Sequence, residues 1–220
     1  MRKLTSKPKE LDYSKWEHLI NGSRFLYQLE TRLLPNEAGK VIAGVYKTSM
    51  VPLARDMQIS ILRNNMYTRK ILFNMQVTAD PFFLFCPGIE ECRVHRLWLC
   101  PQSQKIWNFI NRVLEETIDS PIFLKEAILG KYKESAATHR NLTILNTKWY
   151  IDQAKREEKA PNLVHVTAAL TNVLGVQFEF LQRLDASAKA KLQSHIFSYY
   201  FFLSKLDELR HNKNSYRLNS

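Results

Sequence analysis

The sequence predicts a mostly α-helical protein, with a helical domain around a small knuckle-like loop and a bundle of C-terminal helices after it. Apolar residues recur at helical spacing through most segments of the chain. Glycine is scarce, with 6 residues in 220, which disfavours a loop-rich all-β fold. Hydrophobic residues make up 45% and charged residues 24%, so the composition is that of a globular chain that buries a core.

The first half of the chain divides into helices separated by loops. A polar, basic arm (1–10) precedes two helices over 11–34, with a break at Asn21-Gly22-Ser23. Pro35-Asn36 and Gly39 indicate a loop, and the short apolar run 41–46 fits a strand or a helix equally well. Residues 53–75 are predicted to be helical, and 79–88 form an aromatic, turn-prone stretch.

The second half is predicted to be helical almost throughout. Pro101 suits the first position of a helix, and Ile106, Ile110 and Val113 lie on its apolar stripe. A short segment over 121–129 ends at Gly130, and further helices are expected over 137–159, 163–184 and 188–209. These elements divide the chain into an N-terminal helical segment (1–49), a knuckle-like region with flanking helices (50–120) and C-terminal helices (121–220).

The three cysteines of the chain lie close together in sequence and enclose a histidine. The order is Cys86, Cys92, His95, Cys100. Zinc in proteins takes four ligands in a tetrahedron, drawn mainly from thiolate and imidazole groups. The pattern therefore predicts a zinc knuckle made of these four side chains. The alternative is a metal-free cluster, because free cysteine is often a small buried core residue.

The charge balance favours a polyanionic partner. Lys and Arg number 32 against 21 Asp and Glu, which gives a net charge of +11. RNA or DNA is the predicted partner, bound through phosphates. The predicted nucleic-acid-binding residues are Arg63, Arg69, Lys70, Arg93, Arg96, Lys105, Lys148, Lys155 and Lys159. The alternative is that these charges form ordinary solvated helix faces and that the aromatic residues are core.

A longer pattern around the cysteines resembles a known family. It comprises the Arg- and Thr-containing segment 62–72, Asp80-Pro81, Cys86, Glu90 or Glu91, the run HRLWLCP over 95–101, and Ile106-Trp107. This order is similar to the zinc-binding region that follows the polymerase in LINE-type (non-LTR) retrotransposon reverse transcriptases. The segment 141–161, with Trp149-Tyr150 before a basic cluster, extends the resemblance to about residues 50–162. The resemblance implies a non-catalytic, nucleic-acid-binding tail that carries a zinc knuckle.

The sequence departs from that family at one ligand. Cys86, His95 and Cys100 match the second, third and fourth ligand positions of the family pattern. The first cysteine of the family pattern is expected three or four residues before Cys86, where this chain has Phe83 or Phe82. Either Cys92 supplies the fourth ligand, or the site has lost its zinc and is held by aromatic packing.

The sequence lacks the motifs of polymerases, nucleotide-binding enzymes and serine hydrolases. No Tyr-x-Asp-Asp turn of a polymerase, P-loop, dinucleotide fingerprint or nucleophile elbow occurs, and we expect no catalytic activity and no small-molecule substrate. No signal peptide or membrane-spanning run is present, which predicts a protein without membrane contact, located in the nucleus or cytoplasm. Two alternatives to nucleic-acid binding stay open: a protein-interaction domain with an apolar groove around 199–203, or a retroelement fragment without a selected function.

Overall fold

The protein is mostly α-helical, as the sequence predicts. The computed structural model describes residues 35–48, 52–117, 120–131, 138–187, 189, 200–206 and 208. In chain order the elements are α1 (Pro35–Thr48), α2 (Pro52–Leu62), α3 (Arg69–Asn74), β1 (Phe82–Phe83), β2 (Cys86–Glu90), one π-helical turn (His95–Leu99), α4 (Pro101–Glu116), α5 (Leu124–Leu129), α6 (Thr138–Arg156) and α7 (Leu163–Gln182). Residues 200–206 are also helical. The arm and helices predicted over 1–34, and most of the helix predicted over 188–209, lie outside the described residues.

One hydrophobic core joins the described helices. It runs from Ile42 in α1 through Ile61 in α2 and Ile110 in α4 to Leu145 in α6 and Leu170 in α7. Helix α6 is central, because α1, α2, α7 and the π-helical turn all pack against it. Burial of these apolar stripes is the main driving force for the fold. Leu97 in the π-helical turn and Ile106 in α4 belong to the same core.

Two sequence-based boundaries were wrong. The predicted loop at 35–39 is the first part of α1, and the ambiguous run 41–46 is helical too. The single helical region predicted over 53–75 is interrupted, because α2 ends at Leu62 and α3 begins only at Arg69. Asn64 has a positive φ of 61°, which stops α2. The Thr68 side chain then accepts a hydrogen bond from the Ile71 amide and caps α3.

The turn-prone stretch over 79–88 forms a short antiparallel hairpin. β1 pairs with β2, with Phe83 opposite Cys86, and residues 84–85 make the turn. The Glu91 amide donates to the Pro81 carbonyl at 2.8 Å, which closes the base of the hairpin. Phe83, Cys86 and Cys100 form a second buried cluster, separate from the main core, with Phe85 packed on it. This cluster connects the hairpin to the start of α4.

Candidate metal centre

Three of the four predicted metal ligands come together inside the protein. Cys86, His95 and Cys100 are all buried, and one ligand atom from each lies within 4.8 Å of the others. The two sulfur atoms, Cys86 Sγ and Cys100 Sγ, are 3.7 Å apart. Cys86 opens β2, His95 opens the π-helical turn, and Cys100 directly precedes α4. This group could hold a metal ion.

The π-helical turn explains why a histidine and a cysteine five residues apart converge. In an α-helix each residue advances by about 100°, so residues five apart point about 140° away from each other. Here the Cys100 amide donates to the His95 carbonyl at 2.7 Å, the i to i+5 bond of a π-helix. This bond places Cys100 one full turn after His95, and the two side chains share one side.

The His95 imidazole is held in a state suited to metal binding. Burial lowers its pKa, although the nearby Glu91 carboxylate acts in the opposite direction. The ring is therefore neutral near pH 7, as a metal ligand must be. Its Nε2 atom is buried and has no hydrogen-bond partner among the described residues. A buried nitrogen of this kind costs free energy unless something pairs with it.

The two thiols complete a donor set that could hold a divalent metal ion. Burial raises the pKa of Cys86 to about 11, with the Cys100 thiol adding to the shift. A divalent cation would displace this proton, because only the thiolate is a ligand. Two thiolates and one neutral imidazole balance the two positive charges of the ion. A neutral centre suits the surroundings of the site, which the Phe83 and Phe85 rings line.

Cys92, predicted as the fourth ligand, is not in this group. Its sulfur lies 3.3 Å from the His95 backbone nitrogen and accepts that N–H bond, and its side chain packs against the main core. Phe83, which is 2% exposed, lies at one of the two places where the resemblance expects the family's first cysteine. Its ring meets the His95 ring edge to face, with 5.4 Å between the ring centroids. Three protein ligands leave one position of a zinc tetrahedron for water or another group.

Three of the predicted nucleic-acid-binding residues are inside the fold, which corrects their assignment to a phosphate-binding surface. Arg93 is buried and bonds to the Asn64 side chain and backbone carbonyl. Arg96 is buried between carboxylates, and Lys148 is buried in the helical core. Each of these side chains is held by hydrogen bonds to protein acceptors, so none is available to phosphates.

The other predicted basic residues lie at or near the surface, and four of them are paired with carboxylates. Arg69 pairs with Asp80 at 2.9 Å, and Lys70 pairs with Glu90. Lys155 is mostly buried at the end of α6, whereas Lys159 lies beyond that helix. The single helix face predicted for Lys148, Lys155 and Lys159 is therefore wrong. Arg63 and Lys105 are exposed.

Sequence reasoning missed a buried ion network beside the metal group, made of Glu91, Arg96 and Asp152. Arg96 Nε donates to Glu91 at 2.6 Å, its Nη1 to Asp152 at 2.7 Å and its Nη2 to the Tyr67 carbonyl at 2.8 Å. All three charged side chains are almost completely buried. The signal available in sequence was Asp152 four residues before Arg156 on one helix, and the structure has this ion pair at 2.8 Å.

Lys148 is expected to make the free energy of unfolding depend on pH. Its side chain is 1% exposed, its Nζ donates to Gln58 and to the Ile128 carbonyl, and burial lowers its pKa to about 7. Between pH 7 and 9 the folded lysine is mostly neutral while the unfolded one is protonated. The unfolded state then binds more protons, so the free energy of unfolding rises with pH, by up to about 1.4 kcal/mol per unit.

Urea unfolding at pH 7, 8 and 9 would measure this rise. The Lys148→Met variant should lose it, because methionine has similar length and no proton to release. Equal slopes in the two proteins would show that Lys148 is charged in the fold.

No protein-family model matches the chain, and no curated protein or solved structure matches it. The resemblance to LINE-type reverse transcriptases therefore stays a prediction. Among the described residues, no helix has both the length and the apolar character needed to cross a membrane.

Proposed function

We propose that the chain is a non-catalytic nucleic-acid-binding module, in which zinc on Cys86, His95 and Cys100 fixes the hairpin to the start of α4. The observation that carries the proposal is the buried Cys-His-Cys group with an unpartnered imidazole nitrogen. Zinc is the preferred ion because thiolate and imidazole ligands together select it over calcium or magnesium, which take oxygen ligands.

The net charge supports nucleic acid as the partner. The excess of Lys and Arg over Asp and Glu gives +11 for the whole chain. Arg93, Arg96 and Lys148 are internal, so phosphate would contact cations at or near the surface. These are Arg63, Lys70, Lys105, Lys155 and Lys159 from the predicted set, and Arg156 in addition. The resemblance to the region after a retrotransposon polymerase agrees with this function.

Zinc content measured by mass spectrometry on the full chain tests the metal. We expect about one zinc per molecule in the wild type, and a loss of zinc in Cys86→Ser and Cys100→Ser. Cys92→Ser is the matched control, because Cys92 lies between Cys86 and Cys100 in sequence but its side chain is not in the ligand group. Zinc loss in Cys92→Ser as large as in Cys100→Ser, or no zinc in the wild type, would contradict the three-ligand site.

Salt-dependent binding tests the partner. The same preparation is titrated with single-stranded RNA, single-stranded DNA and duplex DNA between 50 and 200 mM salt. A module that neutralises several phosphates loses affinity steeply over this range, because each contact releases counterions. Binding that does not respond to salt, or no binding, would contradict a nucleic-acid function.

A protein-interaction domain is the second candidate, favoured by apolar residues at the surface of the hairpin region. Phe73, Met75, Val77, Phe82, Leu84 and Ile89 are all exposed there. At the groove predicted around 199–203, Tyr200 and Phe201 are exposed and Phe202 is buried, while position 199 is outside the described residues. A chain that holds zinc but shows no salt-dependent binding to nucleic acid would favour this candidate.

A further inference from the structure

A cleft opens beside the buried ion network, at the edge of the main core, and Met57 and Met66 contribute to both. It lies between α2, the extended segment after it and the C-terminal end of α6, and its volume is about 520 Å³. Its walls include the aromatic residues Tyr67 and Trp149, the cations Arg96, Lys155 and Arg156, and one carboxylate, Asp56. A volume in this range fits a small organic ligand or one unit of a polymer.

The N–H donors of the Lys155 ammonium group are available to hydrogen-bond a ligand. Its nearest carboxylate is Glu91, with the Lys155 Nζ atom 3.8 Å from the Glu91 oxygen, which is beyond hydrogen-bond distance. In the described parts of the chain it makes no hydrogen bond, although its side chain is only 18% exposed. Burial lowers its pKa and the charge of Arg96 acts in the same direction, whereas the Glu91 and Asp152 carboxylates raise it. A bound anion would accept the hydrogen bonds that Glu91 is too far away to accept.

Arg156 provides a second cation on the rim of the same cleft. Its guanidinium contacts Asp152 through Nε at 2.8 Å and lies over the Trp149 ring, 5.6 Å from the centroid. These two contacts fix its orientation, yet the side chain is 61% exposed. Arg156 therefore presents a planar, positively charged surface to solvent, a shape that matches phosphate.

Tyr67 provides an aromatic surface next to these cations. Its ring lines the cleft but is 63% exposed, and its backbone carbonyl is held by Arg96. Exposed aromatics beside fixed cations are the usual means by which proteins bind single strands, with bases stacking and phosphates pairing. A base in a duplex is already stacked on both faces and could not stack on Tyr67.

We propose that this cleft binds one nucleotide unit of a single-stranded nucleic acid, with its phosphate on Lys155 and Arg156 and its base against Tyr67. The inference rests on the proposed nucleic-acid function and assigns it to a site that shares no ligand residue with the metal group. It requires single strands to bind more tightly than duplex of equal length.

Fluorescence anisotropy of the full chain with a labelled ten-nucleotide deoxythymidine strand tests the cleft. We expect Lys155→Met to weaken binding about tenfold and to reduce the salt slope by about one. Tyr67→Ala should weaken binding roughly tenfold or more, whereas Tyr67→Phe should bind like the wild type because it keeps the ring. Lys125→Met is the matched control, since Lys125 is exposed on α5 and does not line the cleft.

The possible results distinguish a failure of the proposed cleft from a failure of the proposed nucleic-acid function. Wild-type binding that survives Lys155→Met and Tyr67→Ala but weakens in Lys125→Met would overturn the cleft and leave the proposed function standing. No salt-dependent binding of any nucleic acid would overturn both. Displacement of the strand by an equal concentration of thymidine monophosphate would overturn a strand as the ligand. Arg156→Gln, which changes a largely exposed side chain, should repeat the Lys155→Met loss in a folded protein.

Discussion

Replacing Arg96 with methionine is expected to lower the free energy of unfolding by about 3–5 kcal/mol. The guanidinium lies between the buried carboxylates of Glu91 and Asp152, and it also holds the Tyr67 carbonyl. Without it the two carboxylates would be left in a protein interior with too few donors. An unpaired buried charge costs far more than an ion pair in water contributes. Urea unfolding at pH 7 would measure the loss.

Arg156→Gln is the control for this experiment. Arg156 pairs with the same Asp152 carboxylate, but its side chain is mostly exposed, so we expect a loss below about 1 kcal/mol. The triple variant Glu91→Gln, Arg96→Met, Asp152→Asn should recover part of the Arg96→Met loss, because it removes the charges that the single variant leaves unpaired. A loss in Arg96→Met no larger than in Arg156→Gln would mean that the network contributes little to stability.

Zinc at a thousand times its dissociation constant is expected to raise the free energy of unfolding by about 4 kcal/mol relative to the chelated protein. The gain arises because Cys86, His95 and Cys100 meet only in the folded chain, so the ion binds the folded state preferentially. Binding also displaces the Cys86 proton, whose pKa is about 11. The zinc contribution should therefore decrease by at least about 1.4 kcal/mol for each pH unit below 8.

Denaturant unfolding in zinc-buffered and chelated solutions, at pH 8 and pH 7, would measure both effects. Cys86→Ser should unfold at the same denaturant concentration with and without zinc, while Cys92→Ser should keep the wild-type response. A zinc response that persists in Cys86→Ser would place the ion elsewhere in the chain.

Regular helices were predictable from sequence because their signals are local. Pro101 and the apolar stripe after it predicted α4, and the structure begins that helix at Pro101. Gly130 correctly marked the end of α5, where its φ is 80°. The break between α2 and α3 was missed, because its cause is a positive φ at Asn64 and a Thr68 cap rather than a proline or glycine.

Side-chain location was harder to predict than secondary structure. Arg96 looks like a surface cation in sequence, because Asp152, which pairs with it, is 56 residues away. Nothing local distinguishes such an arginine from Lys159, which is exposed. The residue types of the candidate site could be predicted from the sequence, but which of the three cysteines belong to it could not. Cys92, three residues before His95, was an open candidate for the missing ligand in the sequence, but its sulfur accepts the His95 backbone N–H instead.

The π-helical turn makes the metal group sensitive to a kind of mutation that leaves every ligand in place. The turn holds one residue more than an α-helical turn would, and this surplus residue brings Cys100 round to the side of His95. An in-frame insertion of one codon within 96–99 would place His95 and Cys100 six residues apart, which is about 120° of separation on α-helical winding, and would rotate the two ligands apart. A deletion of one codon would leave them four residues apart and on one face. An insertion at this point would therefore abolish the site in a single evolutionary step, with both cysteines and the histidine retained.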